Sequence, residues 1–275
     1  MRLVSRAVDA LRAIDAWAAH TASAGVTRAN DEVGVRGPRN VALPWASITK
    51  LLTGLAVLVA VEEGTVDLDE PAGPEGSTLR HLLAHASGLP LDEGPPLAPP
   101  ERRRSYSNFG IELAAELVAE HAGMPFGEYF RAAVVEPLTL AGSLEGSPAG
   151  DFVGPLDDLL ALGRELLAPT LVARETLAEA TTVQFPSLAG VLPGFGRLEP
   201  NDWGLTFELR DDKSPHWTSA SNSPRTFGHF GASGTFLWVD PDLGAACGVL
   251  TDRPFGDWAK GEWPRLSDAV VAELA

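Results

Sequence analysis

The segment Leu43–Gly64, LPWASITKLLTGLAVLVAVEEG, constrains the fold more than any other. Its apolar residues Ile48, Leu51, Leu52, Leu55, Val57, Leu58, Val59 and Val61 fall all round a helix rather than on one stripe. A helix that starts near Ser47 and ends at Gly64, a residue suited to the C′ position, must therefore be covered on nearly all sides. It cannot use a bilayer for cover, because the uncharged run Leu51–Val61 is far shorter than the ~20 residues a span needs. The rest of the chain has to wrap around it. With 275 residues, 45% of them hydrophobic, there is enough chain for one large domain or two modest ones. Lys50, one of three lysines beside Lys213 and Lys260, lies inside this segment.

The formal net charge of −16 opposes binding to nucleic acid and to anionic membranes, so neither is expected as a partner. The N-terminal stretch MRLVSRAVDALRAIDAWAAH is broken by Asp9 and Asp15 and lacks the apolar core of a secretory signal. Its residues Val4, Val8, Leu11 and Ala18 fit one helical face, which predicts a first helix over about 3–21. A single cysteine, Cys247, has no internal disulfide partner and no companions for a metal site. These features together predict a cytoplasmic location.

Short extended stretches are expected between Gly25 and Leu43. From about 65 to 200 the pattern is helices and loops. A short helix in STLRHLLAHASGLP stops at Gly88 and Pro90, and a Pro-rich loop follows over Leu91–Pro100. In NFGIELAAELVAEHAGM, Ile111, Ala114, Leu117, Val118 and His121 recur at helical spacing. A further helix covers Pro155–Leu167. After 200 the period changes. Trp203, Leu205, Phe207 and Leu209 alternate in WGLTFELR and read as a half-buried strand. GTFLWVD and GAACGVLTD form an antiparallel hairpin, and a last helix covers about Trp258–Leu274. The fold class is thus α/β plus all-α, with an antiparallel sheet flanked by terminal helices and an inserted helical region. The sheet region is assigned to 1–64 and 201–275, and the mainly helical region to 65–200.

Three short motifs carry chemistry. Ser47 and Lys50 are three apart, so on a helix they share a face. A serine hydroxyl needs a nearby base before it can act as a nucleophile, and a buried lysine with a lowered pKa suits that task. The helix N-terminus adds free N–H groups that favour an oxyanion. Chance alone supplies about 0.2 Ser-x-x-Lys pairs in such a chain, and a helix cap beside a snorkelling lysine is the plain alternative. Tyr106-Ser107-Asn108 precedes a helix. Chance gives Tyr-x-Asn only about 0.04 times, although Asn108 could simply cap that helix and Tyr106 pack in the core. A lysine ammonium nearby would stabilise a phenolate and make Tyr106 a base. The third motif, His229-Phe230-Gly231, leads into a strand.

This ordered set resembles the serine β-lactamase and penicillin-binding-protein superfamily, in the branch of class C β-lactamases and family VIII carboxylesterases. TLRHLLAHASGLP and GHFGASGTFLWVDPDLGAACGVLTDR add to the likeness, which covers about 40–255. The resemblance implies a β-lactamase/transpeptidase-like fold. It makes Ser47 the acylated nucleophile, and Lys50 and Tyr106 its proton-transfer partners. Asn108 becomes a ligand of Lys50 and of the substrate's acyl side. His229, Phe230 and Gly231 take the Lys-Thr-Gly place, and the amides of Ser47 and Ala232 form the oxyanion hole. His229 departs from the lysine that grips a β-lactam carboxylate. With no leader in view, the expectation is an esterase or amidase on small ester, amide or lactam substrates, without metal or organic cofactor. The alternatives are a β-lactamase or D-amino-acid peptidase and a non-catalytic penicillin-sensor-like binder. His229, with an ordinary pKa near 6.5, is expected to titrate between about pH 5.5 and 7.5.

Other features have duller readings. His81 and His85 stand i,i+4 without a third ligand, which favours a structural role over a metal. Arg102, Arg103 and Arg104 read as a solvated loop, or as a guide for an anionic substrate. Trp203, Trp217 and Trp238 are expected to pack the sheet, with Trp217 the best of the three to line a cleft. Cys247 reads as a small hydrophobe on a strand.

Overall fold

The computed structural model describes residues 8–275. A six-stranded antiparallel sheet organises it. Its strands are β1 (Ala22–Thr27) and β2 (Glu32–Arg36), then, much later in the chain, four more. Between them lie the short strands β3 (Leu43–Pro44), β4 (Ser143–Leu144), β5 (Phe152–Gly154), β6 (Gly190–Leu192) and β7 (Gly196–Leu198). The large sheet is completed by β8 (Glu208–Leu209), β9 (Phe227–Gly231), β10 (Thr235–Asp240) and β11 (Ala245–Thr251), in the order β2-β1-β11-β10-β9-β8. This is the β-lactamase/transpeptidase-like fold, mixed α/β with an antiparallel sheet.

Alternation sorts the sheet's side chains onto two faces. Leu237, Val239, Ala246 and Leu250 join one core with the helices α1 (Thr49–Glu62), α2 (Leu79–Leu83), α3 (Asn108–Ala122), α4 (Phe126–Phe130), α5 (Leu156–Leu167) and α6 (Arg174–Ala180). Phe236, Trp238, Cys247 and Val249 face a second core with the N-terminal helix and α7 (Asp257–Leu274). Helix α5, from the middle of the chain, lies directly on the sheet. Small residues allow this: a Cβ on Gly25 would meet Leu160 at 2.7 Å, and one on Gly248 would meet Leu159 at 2.8 Å.

The central helix behaves as its composition requires. From Thr49 to Leu58 every residue of α1 is buried, and Gly64 closes it at φ +73. Each buried Leu there contributes about 1.5–3 kcal/mol relative to exposure. Cys247 is buried on β11, as read.

Two expectations need correction. The first helix is a 3-10 helix over Asp9–Ala16, and the part of its expected span before residue 8 lies outside the described residues. Its buried residues Val8, Leu11, Ile14 and Trp17 recur every third position, which is the 3-10 period, whereas Ala18 is exposed. The alternation in WGLTFELR also misleads. Only Glu208–Leu209 forms a strand, because Thr206 adopts φ +66 and Gly204 N–H bonds back to Phe207 O. All of 201–209 is buried, so the pattern marked two covered sides rather than one.

Candidate active site

Ser47 stands on a 3-10 turn, Ala46–Ile48, that leads into α1. Ala46 is held at φ +48, a conformation that costs an alanine energy and throws the next side chain out of the helical line. The end of β9 presses on this turn. A Cβ on Gly231 would lie 2.4 Å from Trp45 O and 3.0 Å from Ala46 Cβ, so only glycine allows the approach. Thr235 Oγ1 also donates to Trp45 O at 3.0 Å. The strand thereby carries Ala232 to the rim of the cavity that Ser47 lines.

Lys50 is wholly buried on the first turn of α1. Its Nζ donates to Asn108 Oδ1 at 2.6 Å and to Ala149 O at 2.6 Å, and it lies 3.3 Å from Ser47 Oγ. Burial pulls its pKa down to about 7, with Glu112 opposing. A neutral amine keeps two N–H groups for Asn108 and Ala149 and turns its lone pair to Ser47. The segment bearing Ala149 is tied to the helix: Thr53 Oγ1 donates to Pro148 O, and Thr49 Oγ1 accepts from Phe152 N–H. No sequence signal marks Ala149, because a backbone carbonyl needs no particular side chain.

Asn108 is free to serve Lys50 because Ser107, not Asn108, caps α3. Ser107 Oγ accepts from Gly110 N–H at 2.9 Å. Tyr106 is close by, its ring 4.9 Å from Lys50 Nζ. Burial pushes its phenol above the ordinary range, and interaction with the Ser47 hydroxyl only partly offsets this. The expected fall in the Tyr106 pKa is therefore reversed, because desolvation of the phenolate outweighs the nearby ammonium.

His229 lies where the motif order puts it, but not in the expected charge state. Burial, then the Lys50 charge, lowers its pKa to about 3, against a raising hydrogen bond to Phe230 O. Nδ1 donates to that carbonyl at 2.7 Å, so Nε2 is the acceptor and faces Tyr106 Oη at 3.4 Å. The expected titration between pH 5.5 and 7.5 is overturned by this desolvation.

Ser47, Tyr106, Asn108, His229, Phe230 and Ala232 line one cavity of about 260 Å³, closed by Leu91, Leu192, Pro193, Gly194, Trp203 and Phe255. The structure thus brings together the residues of all three motifs, with Lys50 beneath and Gly231 behind. The apolar wall, much of it from the β6–β7 hairpin, was not foreseen. This hairpin falls in the stretch expected to hold only helices and loops. Trp203 supplies the wall. Trp217 instead is buried with its Nε1 on Glu208, which corrects the choice of cleft tryptophan. Arg104 is neither solvated nor a guide. It is 1% exposed and donates to the carbonyls of Ala84, Gln184, Phe185 and Asn201, although Arg102 and Arg103 are exposed. A larger hollow of about 560 Å³ opens between α5, α6 and Phe227, away from Ser47.

His81 and His85 serve different partners, His81 bonding Thr78 and Glu101 while His85 faces Tyr106. Among the described residues no cluster of three or more metal-ligating side chains occurs, and no helix is long and apolar enough to cross a membrane.

A family model described as Beta-lactamase matches residues 10–144 and 140–271. The chain belongs to the beta-lactamase family. The crystal structure of a beta-lactamase (Mb2281c) from Mycobacterium bovis is 49% identical and superposes with a TM-score of 0.95, covering 96% of this chain and 99% of that one. EstCE1, a hydrolase with promiscuous acyltransferase activity, shares the fold at 17% identity and a TM-score of 0.78, covering 96% and 97%. Over 130 residues the chain is 26% identical to the D-alanyl-D-alanine-carboxypeptidase/endopeptidase AmpH of Escherichia coli (strain K12). That match takes in 34% of this chain and spans about a third of the relative's length. In this beta-lactamase family member, the sequence motifs and the cavity coincide.

Proposed function

We propose that this protein is a serine hydrolase that works through an acyl-Ser47 ester, with small, neutral esters or amides as substrates. The observation that carries this reading is Lys50: a buried amine with a pKa of about 7, 3.3 Å from Ser47 Oγ, is a base matched to neutral pH. Neutral Lys50 takes the Ser47 proton as Oγ bonds to the carbonyl carbon. The amides of Ser47 and Ala232 hold the oxyanion. As the tetrahedral species collapses, the bond to the leaving oxygen or nitrogen breaks and that atom takes the Tyr106 proton. The Lys50 proton then returns to Tyr106, restoring both groups. Water repeats the sequence in reverse, giving its OH to the acyl carbon and its proton, through the same pair, to Ser47. Before the collapse, His229 Nε2 accepts from Tyr106 Oη and orients it, and the phenol proton turns from His229 to the leaving atom as that bond breaks.

Substrate charge follows from the walls. With His229 neutral, no cationic side chain among the described residues lines the cavity to bind a carboxylate, and Leu91, Leu192, Trp203 and Phe255 suit apolar groups. At about 260 Å³ the site lies below the ~300–1,000 Å³ usual for drug-sized ligands. This favours esterase or amidase activity over β-lactamase or D-amino-acid peptidase activity, and a catalyst over a penicillin-sensor-like binder. Nucleic acid and membrane are not proposed as partners.

A fluorophosphonate probe should label one peptide, that of Ser47, and Ser47→Ala should lose labelling and turnover together. Short-chain p-nitrophenyl esters should give the higher kcat/KM, ahead of nitrocefin and D-alanyl peptides. Labelling elsewhere overturns the nucleophile, and a preference for nitrocefin overturns the substrate class.

A further inference from the structure

His85 is fully buried, and its backbone sits at φ +54, in the left-handed region. Nothing in the chemistry above uses it. Yet it holds the Tyr106 segment from both sides. Its carbonyl accepts the Ser105 N–H at 2.9 Å, and its Nδ1 accepts the Ser107 N–H at 3.2 Å. The two bonds bracket Tyr106, and the second lies next to Asn108. The imidazole ring packs 4.7 Å from the Tyr106 ring and stands nearly perpendicular to Trp203 at 4.8 Å. Since Nδ1 accepts, the ring proton is on Nε2, which is buried and without a hydrogen-bond partner. A packing residue would not need that arrangement. An aliphatic side chain would fill the space without leaving a buried N–H unpaired, a feature that calls for its own explanation.

Building on the proposed hydrolase reading, we propose that His85 is a positioning residue whose left-handed turn and Nδ1 acceptor set the placement of Tyr106 and Asn108 against Ser47 and Lys50. Its ring is neutral at working pH. Burial first, then the charges of Lys50 and Arg104, keep its pKa well below the ordinary value. The amide acceptor is thus always available. The unpaired Nε2–H is the cost of dedicating Nδ1 to the Ser107 amide.

Two substitutions separate positioning from packing. His85→Asn keeps an acceptor near the Nδ1 place and tolerates a positive φ. His85→Gln fills a similar volume but moves its amide toward the Nε2 side and gives up the Nδ1 acceptor. On a neutral ester, His85→Gln should lower kcat by about 10- to 100-fold with KM within about 2-fold, as expected for misplacement by a fraction of an ångström. His85→Asn should keep kcat within about 3-fold of wild type, and both should melt cooperatively. A His85→Gln enzyme with wild-type kcat, or equal losses in both variants, overturns the proposal. Should His85→Gln fail to fold, ¹⁵N spectra of wild-type imidazoles decide. The expected His85 signal is a neutral ring protonated at Nε2 from pH 5 to 8, and an Nδ1–H form or a titration in that range overturns it. These spectra do not depend on turnover, whereas absence of Ser47 labelling in the wild type would reject the hydrolase reading itself.

Discussion

Lys50 beside the Ser47 hydroxyl and His229 beside the Tyr106 hydroxyl are two buried bases, and burial acts on both by removing charge. It brings Lys50 to about 7 and His229 to about 3. Only one of them therefore titrates in the neutral range. Below about pH 7 the Lys50 ammonium cannot accept the Ser47 proton, so kcat/KM on a neutral ester should rise with pH through that value and level off above it. His229→Gln should leave this limb in place. His229→Lys should move it toward acid, since a second ammonium nearby disfavours protonation of Lys50. Loss of the limb in His229→Gln would assign it to His229 instead. The identities of these residues were legible in three short motifs, because Ser-x-x-Lys on one helical face, Tyr-x-Asn at a helix start and His-x-Gly before a strand are local patterns. Their protonation was not legible. It depends on how completely the 3-10 turn, β9 and the Tyr106 segment close over them.

At the scale of elements, the segment 201–217 forms the Trp203 wall around the buried carboxylate of Glu208. Glu208 is 1% exposed. Lys213 Nζ donates to it, His216 Nε2 contacts it at 2.7 Å, and Trp217 Nε1 donates at 2.8 Å. Burial alone would raise the Glu208 pKa, but His216 and Lys213 prevail and hold it at about 2. Lys213 Nζ also donates to Asp202 O and Leu209 O and lies 5.8 Å from the Trp203 ring. Glu208→Gln would leave the Lys213 ammonium buried without its counter-charge. The expected cost is about 3–5 kcal/mol of unfolding free energy, read as a lower urea midpoint with an unchanged slope. A loss below about 1 kcal/mol would mean that solvent reaches Lys213 in the variant. Hydrophobic alternation in this stretch suggested a strand, yet the polar members of the pattern are buried as deeply as the apolar ones. Glu208 is satisfied by Lys213, His216 and Trp217 from further along the chain, and no pattern of hydropathy records that.

For the molecule as a whole, the net charge is −16, and among the described residues no cationic side chain lines the Ser47 cavity. Long-range fields act on charged ligands and fade with salt, whereas a neutral ester experiences little of them. Between 0.02 M and 0.5 M NaCl, kcat/KM on a neutral ester should change by less than about 2-fold. On an ester carrying a carboxylate it should start far lower and rise with salt as repulsion is screened. Equal salt dependence for the two substrates would argue for a cationic group at the cavity mouth.

The apolar circumference of α1 determined, from sequence alone, that this helix would be central. The runs GTFLWVD and GAACGVLTD determined an antiparallel hairpin, and motif order determined which side chains would meet. These are short-range statements, set by periods of two and 3.6 residues and by spacings of a few positions. The tertiary structure decided what depends on distant parts of the chain. It brought Ala149 O to Lys50, docked the β6–β7 hairpin as the apolar wall and turned Arg104 inward to four carbonyls. It also stripped His229 of its charge. Each of these follows from burial, and burial at a given residue is produced by every element packed around it rather than by its neighbours in sequence.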